Sequence, residues 1–172
     1  MKDAQIHADK TIVRQDEKIR DEEELHELKQ IKRKEFEERV KRNRYHTGQW
    51  IKYALWEENL QEFRRARNVY ERCLEIEYKN TSIWLRYIEM EMRHKFLNHA
   101  RNIFERVIEI LPRIDQFWYK YAYMEELIGF YPKARQIFER WMEWKPPEKA
   151  WLAYFQFEKR MNEPENQRKV MY

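Results

Sequence analysis

The chain has 172 residues, a length that suits one ordinary domain, with 35 Lys and Arg against 31 Asp and Glu. A mean hydropathy of −1.08 with 38% charged residues excludes a buried membrane span, and the small charge excess behind a pI of about 9.0 is a weak signature for nucleic-acid binding. Two glycines, against roughly 7% in average proteins, leave little material for tight β-hairpins, so the predicted fold is all-α. Cys73 is the only cysteine and no early stretch has the apolar core of a signal peptide, which predicts a reducing intracellular compartment.

In chain order, residues 1–20 carry no periodicity and are expected to form a mobile tail. Residues 21–46 begin acidic and end basic, the charge order a helix dipole prefers, and predict one long charged helix. Its basic run "KQIKRK" reads as solvated helix face or as a nuclear import signal. From residue 47 the chain repeats. Tryptophans stand at Trp50, Trp84, Trp118 and Trp151, at spacings of 34, 34 and 33. Counting from each tryptophan as W, position W+3 is Tyr53, Tyr87, Tyr121 or Tyr154, and W+7 is Glu57, Glu91, Glu125 or Glu158. These spacings put the three residues on one face of a first helix, helix A.

The second half of each unit carries Ala66, Ala100 or Ala134 at W+16, then Arg67, Arg101 or Arg135, and Tyr70, Phe104 or Phe138 at W+20. Glu-Arg follows each aromatic, and alanine lets two helix backbones approach on a second helix, helix B. Predicted A helices cover 48–60, 82–94, 116–128 and 148–161, and B helices 63–77, 97–111 and 131–144. Units start near 47, 81, 115 and 148, the last incomplete, with Asn80, Thr81, Ser82 and Asp115 as candidate N-caps and Pro147 in a first turn. Stepping back one period from Arg67, Tyr70, Glu71 and Leu74 lands on Arg33, Phe36, Glu37 and Val40, so the charged helix contains a lone helix B.

The register aromatics are expected in the core. Phe117, Tyr119 and Tyr123 lie outside the register and are expected to touch a neighbouring repeat or a partner, as are Trp141 and Trp144. In the last unit Phe155 and Phe157, with Trp151 and Tyr154, predict an apolar face open to a further repeat, a partner or self-association. Glutamate at W+7 and arginine at W+17 flank the turn, so Glu125 and Arg135 are expected to pair within one hairpin. No catalytic constellation, cofactor motif or metal spacing is found: His7, His26, His46, His94 and His99 are scattered, and Cys73 reads as a packed thiol.

Tetratricopeptide repeats place leucine and glycine after the tryptophan, whereas here W+3 is tyrosine and W+7 glutamate. The pattern resembles half-a-tetratricopeptide (HAT) repeats. The stretches "DEEEL", "NHARNIFERVIEILPRIDQFWYKYAYMEELIG" and "ARQIFERWMEWKPPEKAW" are similar to the N-terminal HAT array of the crooked neck-like (Clf/Syf) family of pre-mRNA splicing factors. The resemblance implies a right-handed α-solenoid without catalytic residues, a nuclear scaffold that binds proteins of the spliceosome and its nineteen complex. Another RNA-processing assembly (3′-end cleavage or ribosomal RNA maturation) and direct RNA binding stay open as alternatives. Family arrays are longer, so the chain is expected to be part of a longer repeat protein or a reduced relative.

Overall fold

A computed structural model describes the backbone of residues 2–162 and the side chains of residues 20–162. Among the described residues there are eight helices and no strand: α1 (Lys2–Arg42), α2 (Thr47–Asn59), α3 (Phe63–Ile76), α4 (Thr81–Arg93), α5 (Leu97–Ile110), α6 (Asp115–Ile128), α7 (Tyr131–Met142) and α8 (Glu148–Met161). The chain divides into two compact units, Met1–Ile76 with α1 to α3 and Glu77–Tyr172 with α4 to α8. In the first unit α2 packs on α1 and α3; in the second α4 packs on α5, α5 on α6, α6 on α7 and α7 on α8, with α6 also touching α8. This is the all-α helical-repeat fold expected from the 34-residue period.

α1 continues back to Lys2, so the stretch that the sequence marks as a mobile tail, residues 1–20, has helical backbone from Lys2 onward. The stretch holds neither proline nor glycine and carries helix-compatible Lys, Ala, Gln and Arg, so nothing in it stops a helix already running from residue 21. The side chains of residues 1–19 lie outside the described residues.

The A-to-B turns share one backbone solution. Gln61, Lys95 and Gly129, all at W+11, have φ of 59°, 60° and 92°. The next residue then donates its N–H back to the W+7 carbonyl: Glu62 to Glu57 at 3.0 Å, Phe96 to Glu91 at 2.9 Å and Phe130 to Glu125 at 2.9 Å. One residue of left-handed backbone thus reverses the chain and satisfies a carbonyl that the helix end would leave unpaired. Asn80 caps α4, accepting from the N–H groups of Ser82 and Ile83 at 3.1 and 3.4 Å. Asp115 is no cap, contrary to expectation: α6 starts from Ile114 without a side-chain cap, and the Asp115 carboxylate accepts from the Trp141 indole at 3.3 Å.

The core holds Trp50, Tyr53, Trp84, Tyr87, Trp118 and Tyr121 with Ala66, Tyr70, Ala100, Phe104, Ala134 and Phe138. Three residues expected at a partner surface are core instead: Phe117, Trp141 and Phe157 are at most 2% exposed. Each fills a repeat position whose apolar character recurs while its identity changes. Phe117 matches Ile83 and Ala150, Trp141 matches Cys73 and Val107, and Phe157 matches Met90 and Met124, all buried. Trp151 departs the other way, 49% exposed where a core ring was expected, and Tyr154 is half-buried. The described residues hold no helix after α8, so among them no following helix B covers these two rings, and Tyr154 meets only the preceding one.

Candidate functional site

The recurring polar residues build joints between consecutive repeats. In the first unit Arg33 grips Glu57 through Nε at 2.7 Å and Nη2 at 3.2 Å, with both side chains buried. The ring of Phe36 stacks on Tyr53 at 5.0 Å and 7°. Glu37 accepts from the Tyr53 hydroxyl at 2.9 Å and from both terminal nitrogens of Arg72 at 2.7 and 2.8 Å.

The second unit repeats this at equivalent residues. Arg101 holds Glu125 at 2.6 and 3.2 Å, Phe104 stacks on Tyr121 at 4.9 Å and 6°, and Glu105 takes Tyr121 at 2.7 Å and Arg140 at 2.9 Å twice. At the α7–α8 joint Arg135 holds Glu158 at 2.6 and 3.2 Å and Phe138 stacks on Tyr154 at 5.2 Å and 9°.

Arg101 and Arg135, at W+17, therefore reach forward to Glu125 and Glu158 of the next repeat, and the expected pair of Glu125 with Arg135 inside one hairpin does not form. Tyrosine and glutamate at W+3 and W+7 are four apart and share a helix face, and on α2, α6 and α8 that face meets the preceding helix of the B pattern. Bidentate arginine on a buried carboxylate fixes both distance and orientation. α1 stands to α2 and α3 as α5 stands to α6 and α7: Arg33, Phe36 and Glu37 do the work of Arg101, Phe104 and Glu105.

Three of the four repeat tryptophans tie their helix A to the loop that precedes it. The indole N–H of Trp50, Trp84 and Trp118 donates to the carbonyl six residues back, on Arg44, Tyr78 and Pro112, at 2.9, 2.7 and 2.9 Å. A buried indole needs such an acceptor. Over the same rings lie the guanidinium groups of Arg72, Arg106 and Arg140, 5.2 to 5.8 Å from the centroids.

The bonds from Arg72 and Arg140 hold Glu37 and Glu105 below the usual carboxylate range. Burial, then the bond to the same carboxylate, pushes the hydroxyls of Tyr53 and Tyr121 up. Among the described residues no three His, Cys, Asp or Glu side chains are placed to hold a metal ion, and no helix is long and apolar enough to cross a membrane.

Outside the joints, the second unit presents an exposed aromatic patch. Tyr119 and Tyr123, one turn apart on α6, are about half exposed and stack on each other at 6.3 Å and 3°. With Leu85, Ile88 and Met92 of α4 they line a groove of about 660 Å³, crossed by the ion pair of Lys120 with Glu89 at 3.4 Å. Tyr119 and Gln116 also border the next cleft, about 330 Å³, with Lys149 and Ala153 of α8. The groove wall on α4 was missed from sequence because Leu85 and Met92 recur in no fixed type.

Of the other residues expected to meet a partner, Phe155 is 67% exposed on α8 beside Trp151 and Leu152. Trp144 is exposed beyond α7, where the Arg113 guanidinium lies over its ring at 5.4 Å and donates to its carbonyl at 2.8 Å.

Comparison with known proteins agrees with the repeat geometry. Residues 32–172 match the family model described as Pre-mRNA-splicing factor Syf1/CNRKL1 N-terminal HAT repeat. The Crooked neck-like protein 1 of Homo sapiens is 54% identical over 64 residues, 37% of this chain and 8% of that protein, and the Mus musculus protein is equally similar over 9% of its length. The pre-mRNA-splicing factor CLF1 of Candida albicans is 51% identical over 59 residues, 34% of this chain and 8% of its own. The aligned stretch thus spans less than a tenth of these curated relatives. The matched region takes in every joint described above, and the chain belongs to the Syf1/CNRKL1 N-terminal HAT-repeat family.

Proposed function

We propose that the chain is a non-catalytic scaffold of pre-mRNA splicing, acting in the nucleus by binding protein components of the spliceosome and its nineteen complex. The observation that carries this reading is the division of labour on the helices. Arg33, Arg72, Arg101, Arg135 and Arg140 are all committed to carboxylates, while the groove between α4 and α6 presents stacked tyrosines over an apolar floor. Such a surface favours a protein segment over a phosphate backbone, which needs clustered free cations. The splicing-factor names of the matching family and of the relatives support the assembly. A second contact is the α8 face with Trp151, Leu152 and Phe155, open to a further repeat, a partner or a second copy.

The test is capture from nuclear extract with and without RNase, followed by protein identification. Spliceosomal proteins retained after RNase support the scaffold. Loss of all of them, together with steeply salt-dependent binding to naked RNA, would replace it with a direct RNA binder.

A further inference from the structure

α1 runs for 41 residues, about 60 Å at 1.5 Å per residue, and among its described side chains the buried ones are Arg33, Phe36 and Val40, on the part that carries the first joint. Before that part three large apolar side chains stand in solvent: Leu25, Leu28 and Ile31 are 52%, 59% and 58% exposed. Spaced by three, they form a short stripe that starts at Leu25 on the side Phe36 buries and winds to the opposite side at Ile31.

Charge changes sign within this stripe. Asp21, Glu22, Glu23, Glu24 and Glu27 precede Leu28, and Lys29, Lys32 and Lys34 follow it. A segment with this layout is complementary to its own reverse. When Leu25 of one chain opposes Leu28 of another in antiparallel register, Asp21 falls opposite Lys32 and Glu24 opposite Lys29, each twice by two-fold symmetry. A parallel pairing would set the acidic cluster against itself. Lys32 meets Glu35 in its own chain at 3.6 Å with both side chains well exposed, an arrangement weak enough to exchange.

We propose that a second copy of this chain docks here, joining two α1 helices antiparallel over residues 21–32. The leucines make the dry centre, Ile31 flanks it, and the opposed charges set direction and register. Three apolar side chains per copy make a small interface, so the dimer is weak and loosens with salt.

The experiment is sedimentation equilibrium of the 172-residue chain, carrying Trp151→Glu and Phe155→Glu so that the α8 face contributes no association. Concentration-dependent dimerisation is expected, weakened about tenfold or more by Leu28→Asp and by Lys32→Glu alone. Adding Asp21→Lys to Lys32→Glu should restore it to within about threefold. Because Cys73 is buried, mixing a Leu25→Cys chain with a Leu28→Cys chain reads the register directly: the mixed disulfide should dominate. These positions are exposed, and unchanged helical circular dichroism verifies each variant's fold. A monomer throughout, association indifferent to Leu28→Asp, or like-with-like disulfides in excess would overturn the proposal.

Discussion

Each joint residue works across a repeat boundary, and that assigns a cost to its loss. Glu57 is fully buried against Arg33, so Arg33→Ala leaves a buried carboxylate unpaired and should destabilise by about 3 to 5 kcal/mol. A double-mutant cycle on Arg101 and Glu125 should show coupling well above the roughly 0.3 to 0.5 kcal/mol within which independent sites add, whereas Glu125 with Arg135 should stay inside that limit. Chemical unfolding of the three single and two double variants measures both couplings, and of Arg33→Ala the cost of the unpaired carboxylate. The sequence displayed the glutamates and arginines but not their pairing, because spacing fixes height along a helix and says nothing about which neighbour a face meets. One signal did exist. Arg33, Phe36 and Glu37 keep the helix B pattern with no tryptophan-bearing helix before them, so their partners had to come from the following unit.

Protonation at the same joints makes stability depend on pH in two windows. Glu105 sits below its ordinary value through Arg140 and then Tyr121. Its contribution is therefore present above the unfolded carboxylate pKa, about 4.3, and is lost as pH falls through the depressed folded value. Tyr121 is raised by burial and by Glu105, so its contribution is present below the unfolded phenol pKa of about 10 and is lost as pH rises beyond it. Urea midpoints followed from pH 7 to pH 2 should fall less steeply for Glu105→Gln than for the unsubstituted chain. Between pH 9 and 12 the same comparison should favour Tyr121→Phe.

At the scale of the element, the turns show what a glycine-poor sequence conceals. Two of the three W+11 residues, Gln61 and Lys95, hold left-handed φ without being glycine, so no composition signal marked the position. Lys95→Gly should relieve strain and stabilise by up to about 1 kcal/mol. Gly129→Ala should cost about 1 kcal/mol from backbone strain alone, because a Cβ there meets nothing within 4 Å. Thermal denaturation of the two variants should move in opposite directions.

The helices themselves were legible, since the Trp, Tyr and Glu stripe and the Ala and aromatic stripe both carry helical period. The inner faces were only half legible. Phe117, Trp141 and Phe157 do not show as core by residue identity, because the core keeps apolar character at positions that alternate Ile, Phe and Ala or Met and Phe. Trp151 was taken for core on identity, yet its burial depends on a following helix B. Trp118→Ala should accordingly cost about 3 to 5 kcal/mol and Trp151→Ala well under half of that, measured by the same unfolding.

For the whole molecule, membership in a splicing-factor repeat family and an aromatic groove on the A helices point the same way. Repeat stability sums over neighbours, so the joints leave the faces outside them available for binding. Tyr119, Tyr123 and Phe155, which the sequence predicts to touch a neighbouring repeat or a partner, are exposed. The most direct measurement is quantitative capture from RNase-treated nuclear extract, comparing the chain with a Tyr119→Glu, Tyr123→Glu variant of unchanged helical content and melting temperature. The account predicts that the unsubstituted chain retains spliceosomal proteins and that the variant loses most of them. Recovery of the same proteins in the same amounts by both would contradict it.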